Sequence, residues 1–252
     1  MTFADERHIR VLLLDIEGTT TPIDFVYKTL FPFASRRLEP FLREHSRDVE
    51  IRTLLQVLQM QNDLDRAQGL HPPAWASDSG EARLTSSIAY AQWLIDKDSK
   101  CAALKSLQGK IWQEGFAKGE LRGQVYPDVP PALERWRRQG RKICIYSSGS
   151  VLAQQLLFGT VASGDLTPHI AGFFDTQTGS KTSPESYERI ATSLGHDPRQ
   201  LLFLSDAPKE VEAAQSAGMQ AILCDRNVPA PAAATAGEVI RSFDEVFPDH
   251  FS

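Results

Sequence analysis

Four stretches of the sequence hold side chains that could do chemistry as a set. Asp15 and Glu17 lie in Asp-Ile-Glu-Gly-Thr-Thr, and Ser147 and Ser148 precede Gly149. Lys181 closes Thr-Gly-Ser-Lys, and Ser205-Asp206 is followed by Glu210. Carboxylates, hydroxyls and a lysine of this kind suit phosphoryl transfer to a carboxylate, assisted by a hard cation. A carboxylate oxygen of Asp15 can attack phosphorus and form an aspartyl-phosphate. Carboxylate and phosphate repel each other, so a cation must lie between them, and oxygen donors at Asp15 and Asp206 suit Mg²⁺. Ser147 and its backbone can hydrogen-bond the phosphoryl oxygens, while Lys181 offsets their charge as the transition state is approached. Glu17 can protonate the leaving oxygen and then deprotonate the attacking water. The amides that open the helix after Ser147-Ser148-Gly149 can face the anion.

Each signal is weak alone. An Asp at the end of a strand is often a turn residue, and Asp206 reads equally as the N-cap of a helix opening at Pro208, with Glu210 a favourable first-turn charge. Lys181 alone is a solvated lysine, and two serines before a glycine are a turn. The conjunction decides, because each residue follows its own strand.

Those strands are legible in the pattern. Val11–Leu14 is a short, continuously apolar run, as expected of a strand covered on both faces. Further strands are expected at Lys142–Tyr146, Phe173-Phe174, Leu201–Leu204 and Met219–Leu223. Helices are expected from Pro130 to Gln139, from Val151 to Phe158, from Pro184 to Leu194 behind a Ser183 N-cap, and from Pro208 to Ala217. Strands alternating with helices give an α/β fold with a doubly wound parallel sheet, whose ligands sit outside the carboxyl ends of the strands. From Phe25 to about Lys118 the period turns helical, with Ile51, Leu54, Leu55 and Leu58 on one stripe, Leu84, Ile88, Ala91 and Ile95 on another, and Leu104, Leu107, Ile111 and Trp112 on a third. Pro32 and Pro40 should break the first helical stretch, which begins at Phe25, into shorter pieces. Residues 1–22 and 126–252 are thus read as the catalytic core and 23–125 as a helical cap inserted after the first strand. Trp75, Trp93, Trp112 and Phe116 could line a pocket for substrate, although core packing accounts for any one of them. Val228 to Gly237 reads as an Ala/Pro-rich surface loop and Val239 to Val246 as a short closing helix.

The ordered set resembles the haloacid-dehalogenase superfamily of phosphatases. Leu13-Leu14-Asp15-Ile16-Glu17-Gly18-Thr19 matches its first motif, Ile145-Tyr146-Ser147 the second, Lys181 the third, and Leu204-Ser205-Asp206 with Glu210 the fourth. Glu17 departs from the pattern, since most phosphatases of the superfamily have Asp there, one methylene shorter. With Asp15-Ile16-Glu17-Gly18-Thr19-Thr20, Gly119-Glu120-Leu121-Arg122-Gly123, Tyr126-Pro127-Asp128-Val129 and Tyr146-Ser147-Ser148-Gly149-Ser150-Val151, the chain is similar to the enolase-phosphatases of methionine salvage almost end to end. That resemblance implies a bifunctional phosphoric monoester hydrolase with one Mg²⁺ per subunit. Such an enzyme enolises 2,3-diketo-5-methylthiopentyl-1-phosphate and then hydrolyses the enol phosphate to acireductone. It implies Mg²⁺ at Asp15, Glu17 (through its backbone carbonyl) and Asp206, substrate at Ser147, Ser148 and Lys181, and catalysis by Asp15, Glu17 and Lys181. The group that abstracts the C1 proton is left open between Glu17 and a residue of the insert. The alternative is a haloacid-dehalogenase-type phosphatase acting on another small phosphate ester. A phospho-accepting receiver-type module uses similar residues, but its acceptor does not follow the first strand and it lacks a large helical insert.

Composition agrees with a soluble enzyme. The 252 residues are 42% hydrophobic and 23% charged, with a formal net charge of −5. That balance argues against a nucleic-acid binder that relies on bulk phosphate attraction. A small phosphorylated diketone remains suitable, because a local pocket can be positive on an acidic protein. Three cysteines without CxxC spacing suggest a reducing compartment. Met1 to Arg10 lacks the apolar run of a signal peptide, and no stretch is apolar enough to span a membrane. A cytoplasmic monomer without nucleic-acid or membrane partners is expected.

Overall fold

The structure is a computed structural model and describes residues 8–99, 101–227 and 239–249. The strands are β1 (Val11–Leu14), β2 (Lys142–Tyr146), β3 (Gly172–Phe174), β4 (Leu201–Ser205), β5 (Gln220–Cys224) and β6 (Val239–Ile240). The helices are α1 (Ile23–Phe25), α2 (Phe31–Glu44), α3 (Val49–Ala67), α4 (Gly80–Asp96), α5 (Ala102–Ala117), α6 (Val129–Arg138), α7 (Val151–Gly159), α8 (Pro184–Leu194) and α9 (Pro208–Ser216). By proximity the chain divides into two units, Met1–Val26 with Arg122–Ser252, and Tyr27–Leu121.

In the first unit, six strands form one sheet in the order β3-β2-β1-β4-β5-β6, every neighbouring pair parallel. β1 and β4 are buried along their whole length, which is why they read as continuous apolar runs rather than alternating ones. The period of two sends Val11, Leu13, Cys144, Tyr146, Leu201 and Phe203 into one core, where they meet Tyr187 and Ile190 of α8 and Ala213 and Ala214 of α9. Leu14 stands opposite Ile145 on one side and Leu204 on the other. Asp15, Ser147 and Ser205 therefore emerge at the same edge of the sheet. The chain leaves β1 towards β2 and β3 on one flank and returns to β4, β5 and β6 on the other. Such a reversal opens a crevice at the carboxyl end of the central strand, and Asp15 is the residue placed there.

The ends of α8 are written in the sequence. Pro184 occupies its first turn, and Gly195 ends it at φ +71°, a left-handed conformation that costs glycine nothing. Ser183 does not cap it with its side chain; the hydroxyl donates to Glu185 instead. The expected helix over Val239–Val246 is absent. Val239 and Ile240, both β-branched, add β6 to the edge of β5, and Ser242 caps a single 3₁₀ turn at Phe243–Glu245. The Ala/Pro-rich stretch from Val228 to Gly237 lies outside the described residues.

In the second unit, α2 packs on α4 and α5, and α3 packs on the same two helices. The expected break in α2 does not occur. Pro32 sits in the first turn, where no amide donor is required, while Pro40 and Arg36, whose carbonyl loses its intrahelical partner, are both exposed to water. In α4 the buried stripe is Leu84, Ser87, Tyr90, Ala91 and Leu94 rather than one through Ile88 and Ile95. The tyrosine can turn inward because its hydroxyl donates to Asp65 Oδ2 at 2.7 Å. Trp112 Nε1 donates to the Leu30 carbonyl at 2.8 Å, Trp93 stacks on Tyr90, and Phe116 is buried. Trp93 and Trp112 are thus engaged within the unit itself.

Candidate active site

Asp15 is only 3% exposed, and both of its carboxylate oxygens are hydrogen-bonded. Oδ1 accepts from the Ile16 amide at 2.7 Å and from Lys181 Nζ at 2.5 Å. Oδ2 accepts from the Ser205 hydroxyl at 2.9 Å. Lys181 Nζ also lies 2.7 Å from Glu210 Oε2, and that oxygen is 3.0 Å from the Ser205 hydroxyl. The ring Asp15–Lys181–Glu210–Ser205 fixes the Asp15 rotamer from both sides. Burial alone would lower the Lys181 pKa, but the two carboxylates outweigh it and keep the ammonium charged well above its ordinary range. Burial and the Asp15 charge raise Glu210 to about 7 and Asp206 to about 6. The same two causes raise Glu17.

The loop after β1 is wound around one carbonyl. Ile16 O accepts from the amides of Thr19, Thr20 and Thr21 at 3.2, 3.0 and 2.8 Å. The Thr20 hydroxyl returns to Asp15 O at 3.0 Å, and the Thr19 hydroxyl accepts from the Asp206 amide at 2.9 Å. Gly18 has φ +73°, and a Cβ on it would fall 2.0 Å from Asp206 Oδ2. The Asp206 carboxylate thus lies against the bare backbone of Gly18. The Glu17 side chain reaches the Ser147 hydroxyl at 3.3 Å. Asp206 does not cap α9, whose N-cap is Ala207, so its carboxylate is not consumed by the helix.

Two buried tyrosines hold the Lys181 loop. Tyr187 donates to Lys181 O at 2.7 Å, and Tyr146 donates to Gly179 O at 2.9 Å. On the loop after β2, Gln154 Nε2 donates to Gly149 O and Phe174 O, both at 2.8 Å. Ser148 is exposed at the bend beside Ser147. The expectation that the first amides of α7 would face an anion needs correcting. Val151 N already donates to Asp175 Oδ2 at 3.3 Å and Ala153 N to Ser150 Oγ at 3.3 Å. Asp175 thus takes a donor that the sequence reading left for the anion.

The donor set fits a hard dication. Asp15, Glu17, Asp206 and Glu210 gather around the Lys181 ammonium, and burial together with the Asp15 charge raises Asp206 and Glu210. All the available donors are oxygen, and the missing side chain of Gly18 leaves room for the Asp206 carboxylate against the loop backbone. Of the residues anticipated for the site, Asp15, Glu17, Ser147, Lys181, Asp206 and Glu210 come together at this edge, with Ser148 adjoining it. Thr19 and Thr20 stand in the motif strings without an assigned role, and no role was assigned to Gln154 or Tyr187. Three consecutive threonines in a loop were a usable signal, because buried loop backbone needs local hydroxyl partners.

Comparison with known proteins agrees with this geometry. Residues 9–218 match the haloacid dehalogenase-like hydrolase family model. Enolase-phosphatase E1 of Synechococcus elongatus is 49% identical over 240 residues, covering 94% of this chain and 98% of the relative. Enolase-phosphatase E1 of Drosophila melanogaster is 42% identical over 248 residues, covering 98% and 93%. The crystal structure of the UTR4 protein of Saccharomyces cerevisiae superposes with a TM-score of 0.70 at 32% identity, covering 94% of this chain and 99% of that one. CbbY of Rhodobacter sphaeroides, in complex with phosphate, shares the fold at a TM-score of 0.54 and 15% identity, covering 95% and 97%. With the motif residues gathered at the switch point of its sheet, the chain belongs to the haloacid dehalogenase-like hydrolases and, within them, to the enolase-phosphatases.

Proposed function

We propose that the chain is a Mg²⁺-dependent enolase-phosphatase that converts 2,3-diketo-5-methylthiopentyl-1-phosphate to acireductone and phosphate in two steps at one site. The observation that carries this reading is Asp15, a buried carboxylate held by Lys181, Ser205 and the Ile16 amide at the carboxyl end of the central strand. Asp15, the Glu17 carbonyl and Asp206 would hold one Mg²⁺, which supplies positive charge between the phosphate and the carboxylates when bound. In the first step a base takes a proton from C1, the C1–C2 double bond forms as the C2 ketone π bond breaks, and a proton returned to the C2 oxygen leaves an enol phosphate. In the second, an Asp15 oxygen attacks phosphorus, the bond from phosphorus to the enol oxygen breaks, and Glu17 gives its proton to that oxygen. A raised Glu17 pKa suits a group that must carry this proton. Glu17 then takes a proton from water, the water oxygen attacks phosphorus, and phosphate leaves Asp15 as a free carboxylate. Lys181 and the hydroxyls of Ser147 and Ser148 are assigned to the phosphoryl oxygens, where their hydrogen bonds strengthen as charge develops.

The test follows phosphate release together with the ultraviolet absorbance of the enol intermediate, for wild type and Asp15→Asn with Mg²⁺ present. The expected result is enolisation that persists in the variant while phosphate release is lost. Phosphate release that persists in Asp15→Asn would remove Asp15 from the nucleophile's role. Phosphate release from simple sugar phosphates without enolisation would favour a phosphatase of another small ester.

A further inference from the structure

The loop that carries Glu17 has a second support, from a residue outside the four motifs. Arg226 follows β5, and its side chain is 6% exposed. Its Nε and Nη2 both donate to the Thr19 carbonyl, at 3.0 and 2.6 Å. Its Nη1 donates to Asp128 Oδ2 at 2.6 Å and to the Arg241 carbonyl at 3.1 Å. The guanidinium lies over the rings of Tyr126 and Phe243, at 4.4 and 4.7 Å from their centroids. Asp128 is fixed in turn by the Phe243 amide at 2.6 Å and the Ser242 hydroxyl at 3.0 Å. Tyr126 N donates to the Thr20 carbonyl at 2.9 Å, so the next peptide of the loop is held from the same side.

Thr19 is the residue on which this support converges with the site. It is fully buried; its carbonyl takes two donors from Arg226, and its hydroxyl takes the Asp206 amide. A carbonyl chelated by two N–H groups of one planar guanidinium is fixed in direction as well as in place. We propose that Arg226 is a positioning residue for the reaction: by chelating the Thr19 carbonyl it sets the Gly18–Thr20 backbone, and through it the relative placement of Glu17 and Asp206. This rests on the roles proposed above for those two residues. Arg226 touches no reacting atom in this scheme. A lysine cannot replace it, because one ammonium at the end of a flexible stem cannot chelate Thr19 O while reaching Asp128.

The test compares Arg226→Lys with wild type as full-length, Mg²⁺-loaded enzyme. The expected result is a cooperative thermal transition, KM changed little, and kcat lowered by about 10²-fold, the scale on which a displacement of about 1 Å acts. Hydrogen exchange should speed up selectively at the amides of Thr19–Thr21 and Asp206. Asp128→Asn, which keeps the guanidinium and weakens its anchor, should move kcat and exchange in the same direction by less, and it carries the test if the lysine variant does not fold. A kcat per folded molecule within twofold of wild type, or exchange at those amides left unchanged, would overturn the proposal. Asp15→Asn in parallel separates the two claims. Phosphate release surviving there overturns the reading of the site, whereas an Asp15-dependent phosphatase indifferent to Arg226→Lys overturns the role of Arg226 alone.

Discussion

At the sheet edge, the side chains of Lys181 and Asp15 are 9% and 4% exposed. In the helical unit, His45 and Glu114 form a cluster of similar chemistry that is 29% and 19% exposed. Both His45 nitrogens lie 2.8 Å from carboxylate oxygens, Nδ1 from Asp48 and Nε2 from Glu114. A neutral imidazole has one donor, so this geometry calls for the imidazolium. Glu114 is also paired with Lys118 at 2.6 Å, and its pKa is lowered, chiefly by that hydrogen bond. Glu44, His45 and Glu114 lie close enough to share an ion, but the contacts of Glu114 and His45 are already filled by partners within the unit. The difference lies in charge balance. The exposed cluster satisfies itself and ties the end of α2 to α5. The buried one carries more carboxylates than cations, an excess that protons on Glu210 and Asp206 or a further positive charge can meet. Burial of ions is costly and seldom chosen for stability, so the unbalanced cluster is where function is to be sought.

Breaking the buried cluster should have the larger effect. Lys181→Met is expected to lower the rate of phosphate release by about 10²–10³-fold, as loss of one charge-stabilising donor does. Steady-state assays at saturating Mg²⁺ check this; a loss below about threefold would detach Lys181 from the phosphoryl group.

A pH series separates the clusters further. Folded Glu210 and Asp206 keep protons up to about 7 and about 6, whereas unfolded carboxyls lose them near 4. Between those values the folded state binds more protons, so stability without metal should fall as pH rises from about 4 to 7, on the order of 2 kcal/mol once the exposure of Asp206 to screening solvent is discounted. Urea denaturation in chelator checks this, and Mg²⁺ or Glu210→Gln should flatten the slope. His45 gives the same sign by another route. Its pKa is raised because the hydrogen bonds and charges of Asp48 and Glu114 outweigh desolvation. Its stabilisation is complete below the unfolded value near 6.5 and is lost as pH rises through the folded one. Being partly exposed, the pair should contribute less than about 1 kcal/mol. His45→Gln should remove that small slope and leave the chelator-dependent one intact; loss of both slopes would contradict the separation.

Much of the sheet edge was legible because its physics is local. Val11–Leu14 and Leu201–Leu204 read as strands buried on both faces, and in a parallel sheet the residues that follow such strands share an edge. What stayed hidden depends on partners distant in sequence. Arg226 meets Thr19 only after β5 is laid beside β4, and Tyr90 turns inward only because Asp65 is there to receive its hydroxyl. Pro40 read as a helix breaker because sequence does not reveal that Pro40 and Arg36 are both exposed to water. The α7 amides read as free because the capping carboxylate, Asp175, comes from the end of another strand.

The central claim is that Asp15 becomes phosphorylated. Rapid acid quench during turnover of the diketone phosphate, followed by borohydride reduction and peptide mapping, tests it directly. The account predicts homoserine at position 15, the reduction product of an acyl phosphate on Asp15, and none in Asp15→Asn. Phosphate released at full rate with position 15 unmodified, or an acyl phosphate trapped on another carboxylate, would contradict it.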